Sequence, residues 1–306
     1  MKILYYDPFA GISGDMNLGA LLNLGIASSY LLNELAKLNL KEKYNIKITG
    51  DVRRGIAGTR VEIILTGSGH HTHPQEHRHL DDIRNIIERS ALHEQVKKTC
   101  LEIFTRLAAA ESTVHGLPLN EIHFHEVGAV DAIIDIAGAA ICLHRLKEMY
   151  SIKKIISAPV ELGVGFVKCT HGILPVPAPA VVELLKNVPV KTGAVQSETT
   201  TPTGAAILST VVQEFNASLH FTIEKTGYGV GSRDTEIPNV LRVFIGELVQ
   251  PEVDDFETSE AFVIDCNIDD MNPEFYESVI EKLFEGGASD AFITPIIMKK
   301  SRPAVT

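Results

Sequence analysis

The chain has 306 residues, 45% hydrophobic and 22% charged, the balance of a globular protein able to bury a core. At about 150 residues per domain it is long enough for two domains. Its 39 acidic residues outnumber 28 basic ones for a formal net charge of -11, which argues against a nucleic-acid partner, because no basic face is visible. Cys100, Cys142, Cys169 and Cys266 make no C-x-x-C pair, which excludes a zinc ribbon and a disulfide framework and fits reduced thiols in a cytoplasmic protein.

In chain order, Ile3–Tyr6 reads as a short buried strand, too short an apolar run for a signal segment. The loop Asp7–Asp15 leads into a helix over Met16–Leu24, and a second helix covers about Ser29–Leu38. Strands follow at Tyr44–Thr49 and Thr59–Thr66, the latter alternating Val61, Ile63 and Leu65. After the polar loop Gly67–His79, amphipathic helices are predicted over Leu80–Ser90 and Leu92–His115, and a more buried one over Gly128–Met149. Asp131 and Asp135 interrupt its apolar stretch, so it reads as a core helix and no membrane span.

Ile155–Pro179 alternates strand and proline-rich turn, and Pro177 with Pro179 opens a helix to Leu185. A helix over Pro202–Phe215 precedes strands at Leu219–Lys225 and Asn239–Leu248. The acidic, aperiodic stretch Val249–Glu260 reads as a linker. Beyond it, strand Ala261–Asn267, helix Pro273–Glu285 and strand Ala288–Met298 make one β-α-β unit, too small to bury a core alone. The expected fold class is α/β with a mixed sheet and α+β character. One large domain spans 1–248, the linker 249–260, and the start of a second domain 261–306.

Five stretches carry chemistry. His70, His71, His73, His77 and His79 put five imidazoles within ten residues, a set of nitrogen donors suited to Ni, Zn or Cu, or else a solvated polar loop. In His123-Phe124-His125-Glu126-Val127-Gly128-Ala129-Val130-Asp131, an extended backbone turns both imidazoles to one side. Asp131 and Asp135, four apart, share one face of an apolar helix, where a buried carboxylate costs several kcal/mol unless partnered. The loop from Asp7 through Gly11, Ser13 and Gly14 to Asp15 either cradles a phosphate at a helix N-terminus or is a tight turn with Asp15 as cap. It is no Walker motif, since the lysine is missing.

Thr200, Thr201, Thr203 and Gly204 surround Pro202, with Thr201 as the helix cap. Their hydroxyls at the positive helix end also suit an anionic cofactor precursor. His171, beside Gly172 in a proline-rich connection, reads on its own as a core histidine and stands beside the loop histidines as a metal-donor candidate.

Taken in order, DPFAGISGDMNLGALLNLG, the histidine loop with HRHLDDI, HFHEVGAVDAIIDIAGAA, HGILPVPAPA, TTPTGAAIL, GYGVGSRDTEIPNVLRVFIG and DCNIDDMNPEFYE resemble the LarC family, the nickel-insertion proteins of the nickel-pincer cofactor. The resemblance covers nearly the whole chain. It implies a lyase-class nickel chelatase that inserts Ni(2+) into pyridinium-3,5-bisthiocarboxylic acid mononucleotide. One metal–carbon and two metal–sulfur bonds form, CTP with a divalent cation (Mn or Mg) is consumed, and the product serves a lactate racemase-type apo-enzyme.

Metallation at carbon releases a ring proton, so the resemblance implies a base among His123, His125, Glu126, Asp131 and Asp135. It also implies a ferredoxin-like C-terminal domain associated with CTP, which here reads as cut after its first β-α-β unit, with Asp269, Asp270 and Glu274 as its acidic cation candidates. That domain, or a frameshifted full-length product, is then an implied partner. The alternative function is a non-enzymatic nickel-delivery subunit needing a separate C-terminal partner. The sequence leaves a homo-oligomer open.

Overall fold

The computed structural model describes residues 1–65, 78–124, 129–169, 172–249 and 261–306. The chain divides into two compact units, Met1–Gln250 and Pro251–Thr306. In the first, strand β1 (Lys2–Asp7) runs into helices α1 (Gly14–Asn23) and α2 (Ser28–Ala36), then the hairpin β2 (Tyr44–Arg53) and β3 (Ile56–Leu65). The short strand β4 (Arg78–His79) opens α3 (Leu80–Arg89) and α4 (Glu94–His115); β5 (His123–Phe124) precedes the long α5 (Val130–Tyr150). β6 (Lys154–Ser157), β7 (Val160–Glu161) and the hairpin β8 (Gly165–Cys169) and β9 (Gly172–Val176) lead to α6 (Pro179–Leu184) and β10 (Val190–Lys191). The unit closes with α7 (Pro202–Val211), β11 (Glu214–Phe215), β12 (Phe221–Val230) and β13 (Val240–Leu248).

Seven strands form one mixed sheet in the order β11-β6-β1-β13-β12-β3-β2. β1 is an interior strand, parallel to β6 with Tyr5 opposite Ile156, and antiparallel to β13 with Tyr5 opposite Phe244. Side chains alternate across a strand, so Leu4 and Tyr6 join the large core under the helices while Ile3 and Tyr5 join a small cluster with Ile156 and Phe244 on the other face. The helical layer centres on α5, whose residues from Ile136 through Leu143 are all buried. Gly138 admits Leu18 of α1: a methyl group added there would lie 2.7 Å from Leu18 Cδ2. The mixed α/β class therefore holds, with helices gathered against one face of the mixed sheet.

The start of α1 and the end of α7 differ from the sequence reading. α1 begins at Gly14 with Ser13 as N-cap, so Asp15 lies in the first turn and complements the helix dipole without capping Met16. The helix expected over Pro202–Phe215 ends at Val211, and Glu214–Phe215 becomes β11 on the free edge of β6. Gln213 secures that switch, its backbone N–H donating to Ile155 at 3.0 Å and its Oε1 accepting from Ile155 N at 2.7 Å. One backbone and one side-chain bond to Ile155 thus take the place of a further helical turn.

In the C-terminal unit, α8 (Tyr276–Glu285) forms as expected, but Ala261–Asn267 is no strand. Instead β14 (Pro295–Met298) pairs antiparallel with β15 (Arg302–Val305), and Ile268 makes one bridge to Val305. Phe262 and Ile264 are exposed, and a strand exists only through a pairing partner. Except for Val249, the expected linker lies outside the described residues. No helix among the described residues is long and apolar enough to cross a membrane.

Candidate functional site

Two helix N-termini converge on one cavity of about 850 Å³ in the first unit. The first turn of α1 contributes Ser13, Gly14 and Asp15, and the first turns of α5 contribute Asp131 and Asp135. Arg60 and Glu62 of β3, Glu111 and His115 of α4, and Val167, Lys168 and Leu174 of the β8–β9 hairpin line further walls. Glu198, Thr201 and Thr203 around the start of α7, with Ser232 and Arg233 beyond β12, complete it. The volume suits a mononucleotide-sized ligand.

The floor is Asp135. Its Oδ1 is enclosed and meets no hydrogen-bond donor among the described residues. Gly14 lies against the same carboxylate, since a methyl group on it would fall 2.2 Å from Asp135 Oδ2. Burial pushes the Asp135 carboxyl well above the usual range, and the nearby charges of Asp15 and Asp131 push it further. Asp131 accepts from the Ala132 backbone N–H at 2.9 Å, and the Ser13 hydroxyl donates to Asp15. Three carboxylates thus share one corner, and the innermost has the least compensation.

Opposite charge is present on the same walls. Arg233 donates to the Glu198 carbonyl at 2.6 Å and to its Oε2 at 3.2 Å, Arg60 lies 3.4 Å from Asp51, and His115 Nε2 lies 3.3 Å from Glu111 Oε2. An anionic ligand therefore finds cations within the cavity, and a departing proton finds carboxylates. Among the described residues no group of three His, Cys, Asp or Glu side chains is disposed to hold a metal ion.

The residues singled out from sequence separate into three sets. Ser13, Gly14, Asp15, Thr201, Thr203, Asp131 and Asp135 line the cavity together. Asp7, Gly11, Thr200 and Gly204 do not. Asp7 Oδ2 takes both Nε and Nη2 of Arg242, at 2.9 and 2.5 Å. Gly11, at φ +84°, carries its Cα so close to Thr199 that a methyl group would meet that carbonyl oxygen at 2.1 Å. The hydroxyl of buried Thr200 donates to the Glu161 carbonyl at 2.7 Å. A methyl group on Gly204 would meet the Ile12 carbonyl at 2.3 Å. Even Thr201, on the wall, uses its Oγ1 to accept from Gly204 N at 3.2 Å as the α7 cap.

The third set is histidines. His70, His71, His73, His77, His125 and His171, with Glu126, lie outside the described residues. His79 is the N-cap of α3, its backbone N–H donating to Asp82 Oδ2 at 2.9 Å. Sequence reasoning treated the two histidine stretches as separate, but β4 pairs antiparallel with β5 and sets His79 opposite His123. The end of the first stretch thus meets the start of the second, seven residues before α5 begins at Val130.

Arg60, Glu111, His115, Lys168 and Arg233 were missed. Arg233 alone carried a signal, because it belongs to one of the unusual strings quoted above.

The model of the nickel insertion protein family matches residues 4–306. The chain belongs to that family. It is 55% identical, over all of its length and 76% of the relative's, to a pyridinium-3,5-bisthiocarboxylic acid mononucleotide nickel insertion protein of Clostridium kluyveri. A protein of the same name from Clostridium acetobutylicum is 52% identical over all of this chain and 77% of its own. Another, from Desulfitobacterium hafniense, is 48% identical over all of this chain and 74% of its own. No solved structure matches. Family membership gives the chain a metal-insertion role and makes nickel its cargo.

Proposed function

We propose that this nickel insertion family member inserts Ni(II) into pyridinium-3,5-bisthiocarboxylic acid mononucleotide within the cavity floored by Asp135. The observation that carries the reading is the pairing of His79 with His123, which joins the histidine-rich stretch to the segment feeding α5 and its carboxylates. His70, His71, His73, His77 and His79, with His171, gather the metal. Imidazole nitrogen holds a borderline ion such as nickel without refusing to give it to sulfur, so delivery to the two thiocarboxylates is downhill.

At the metallated ring carbon the C–H bond breaks, its electron pair forms the Ni–C bond, and the proton leaves. Asp135, flanked by Asp15 and Asp131, receives it. His123, His125 and Glu126 lead into the same helix and relay that proton outward. The phosphate and thiocarboxylates face Arg60, Lys168 and Arg233, while Ser13, Gly14, Thr201 and Thr203 shape the wall beside the helix ends.

CTP with Mg or Mn accompanies turnover, and the metallated product goes to a lactate racemase-type apo-enzyme. On the C-terminal unit the exposed Asp269, Asp270 and Glu274 offer the oxygen donors such a cation takes.

The test is reconstitution of the purified chain with the mononucleotide, NiCl2, CTP and Mg2+, read by mass spectrometry. A second arm adds the part of the C. kluyveri relative that lies outside the match. Metallated product in either arm is the expected result. Nickel bound without product in both arms would leave the protein a carrier and end the insertion reading.

A further inference from the structure

The α1–α5 seam contains two enclosed polar atoms of opposite character, neither with a partner among the described residues. Asn17 has no exposed surface, and its Oδ1 accepts from the Tyr6 hydroxyl at 3.0 Å, but its Nδ2 has no acceptor. Asp135 Oδ1 has no donor. One is an N–H group, the other a carboxylate oxygen.

The seam brings them to the same place. Gly14 and Asn17 are three apart on α1 and so share a face. Gly14 lies against the Asp135 carboxylate, and Leu18 lies against Gly138, the next turn of α5. Asn17 therefore faces the stretch of α5 that begins at Asp135. Tyr6, which holds the Asn17 oxygen, lies near Cys142, two turns past Asp135 on that helix. A leucine would fill this apolar layer at lower cost, because a buried amide donor without an acceptor is penalised. An asparagine here needs a use.

We propose that Asn17 is a positioning residue for Asp135: its Nδ2–H points along the seam at the carboxylate and reaches it through one bridging water, and Tyr6 fixes the direction of the amide. A polar gap with a donor on one side and an acceptor on the other is where a buried water is stable. The function of the contact follows from the surroundings. Asp15 from α1 and Asp131 from the same helix both oppose the charged form of Asp135, as does burial. A neutral donor favours the charged form without adding a cation that would repel nickel. Asn17 thereby keeps the carboxylate available as a proton acceptor and holds its plane toward the cavity. The proposal rests on Asp135 being that acceptor, and its test separates the two.

The deciding measurement is the Asn17 side-chain 15N–1H resonance of the whole chain across pH, in wild type and in Asp135→Asn. The expected result is an inflection that coincides with the 13C carboxyl titration of Asp135 and vanishes in Asp135→Asn. A flat wild-type trace, or an inflection that survives in Asp135→Asn, overturns the proposal. This needs no turnover, so a chain that fails to metallate loses the proposed function while the inference is still judged.

In the metallation assay, Asn17→Leu and Tyr6→Phe should each slow the reaction roughly tenfold on the acid limb and converge on wild type at high pH. A loss of equal size at every pH would mark damage to packing and count against the positioning role. If Asn17→Leu does not fold, Tyr6→Phe, which keeps the amide, decides this arm.

Discussion

The contact between the Gly11 loop and the Thr199–Gly204 segment, and the seam where α1 meets α5, are built from the same materials, glycine and small polar side chains. In the first, the hydroxyls of Thr199, Thr200 and Thr201 all have partners: Thr199 and Thr200 donate to the Glu161 carbonyl, Thr201 N donates to Ile12 O at 3.0 Å, and Thr201 Oγ1 accepts from Gly204. In the second, Asp135 Oδ1 and Asn17 Nδ2 are enclosed and have none among the described residues. Satisfied groups fasten loops to one another. A buried group kept without a partner costs stability and retains its full capacity to act on a ligand.

The largest effect that would break this comparison is at Asp135. Asp135→Asn should lower the metallation rate at least about 100-fold, the usual weight of a positioned base. The same variant should be more stable than wild type near neutrality. The native carboxyl titrates above its unfolded value, so the folded state binds more protons in that window and loses stability as pH rises through it. Asparagine removes that loss. Calorimetry should find the variant melting higher than wild type at about pH 8, with the difference closing toward about pH 4, where both forms are neutral. A lower melting point at the higher pH would mean Asp135 is well paired.

The two glycines come next. Gly11→Ala meets a backbone carbonyl and an unfavourable φ, and should destabilise by about 2–4 kcal/mol in denaturant titration while each folded molecule works normally. Gly14→Ala meets a side-chain carboxylate, which can move. It should cost less stability, about 1–3 kcal/mol, but slow metallation at least about tenfold by displacing Asp135. Loss of stability alone in both variants would erase the distinction between the regions.

The smallest effect is at Thr200. Thr200→Val deletes one of two hydroxyls that share the Glu161 carbonyl, so the acceptor stays satisfied and the cost is about 1 kcal/mol, with turnover unchanged. A raised KM for the mononucleotide would return Thr200 to the binding site.

Periodicity made most of the first unit legible, since α1 to α5 and the strands that carry apolar alternation stand within a few residues of their expected places. It could not supply sheet order. β12 meets β3 through Gly229 and Thr59, some 170 positions apart, and that crossing places Arg60 and Arg233 in one cavity with Asp135. Chemistry-bearing residue types were recognisable, but whether their atoms would be used up by neighbours was not. Asp7 and Asp135 look alike in sequence; only the fold gives the first an arginine and leaves Oδ1 of the second without a donor among the described residues. Strand Ala261–Asn267 failed for a related reason, because an apolar run states a preference and a ladder needs a second strand.

The close approach of α1 and α5 through Gly14 and Gly138 ties the reactive corner to the buried seam between those helices. A loop-borne base can drift as its loop changes length, whereas the backbone that carries this one shifts only if two helices repack. Selection for a different ligand therefore acts most readily on the rim, at Val167, Lys168 and Leu174 of the hairpin, and leaves the proton acceptor in place. The floor and the rim are free to evolve at different speeds.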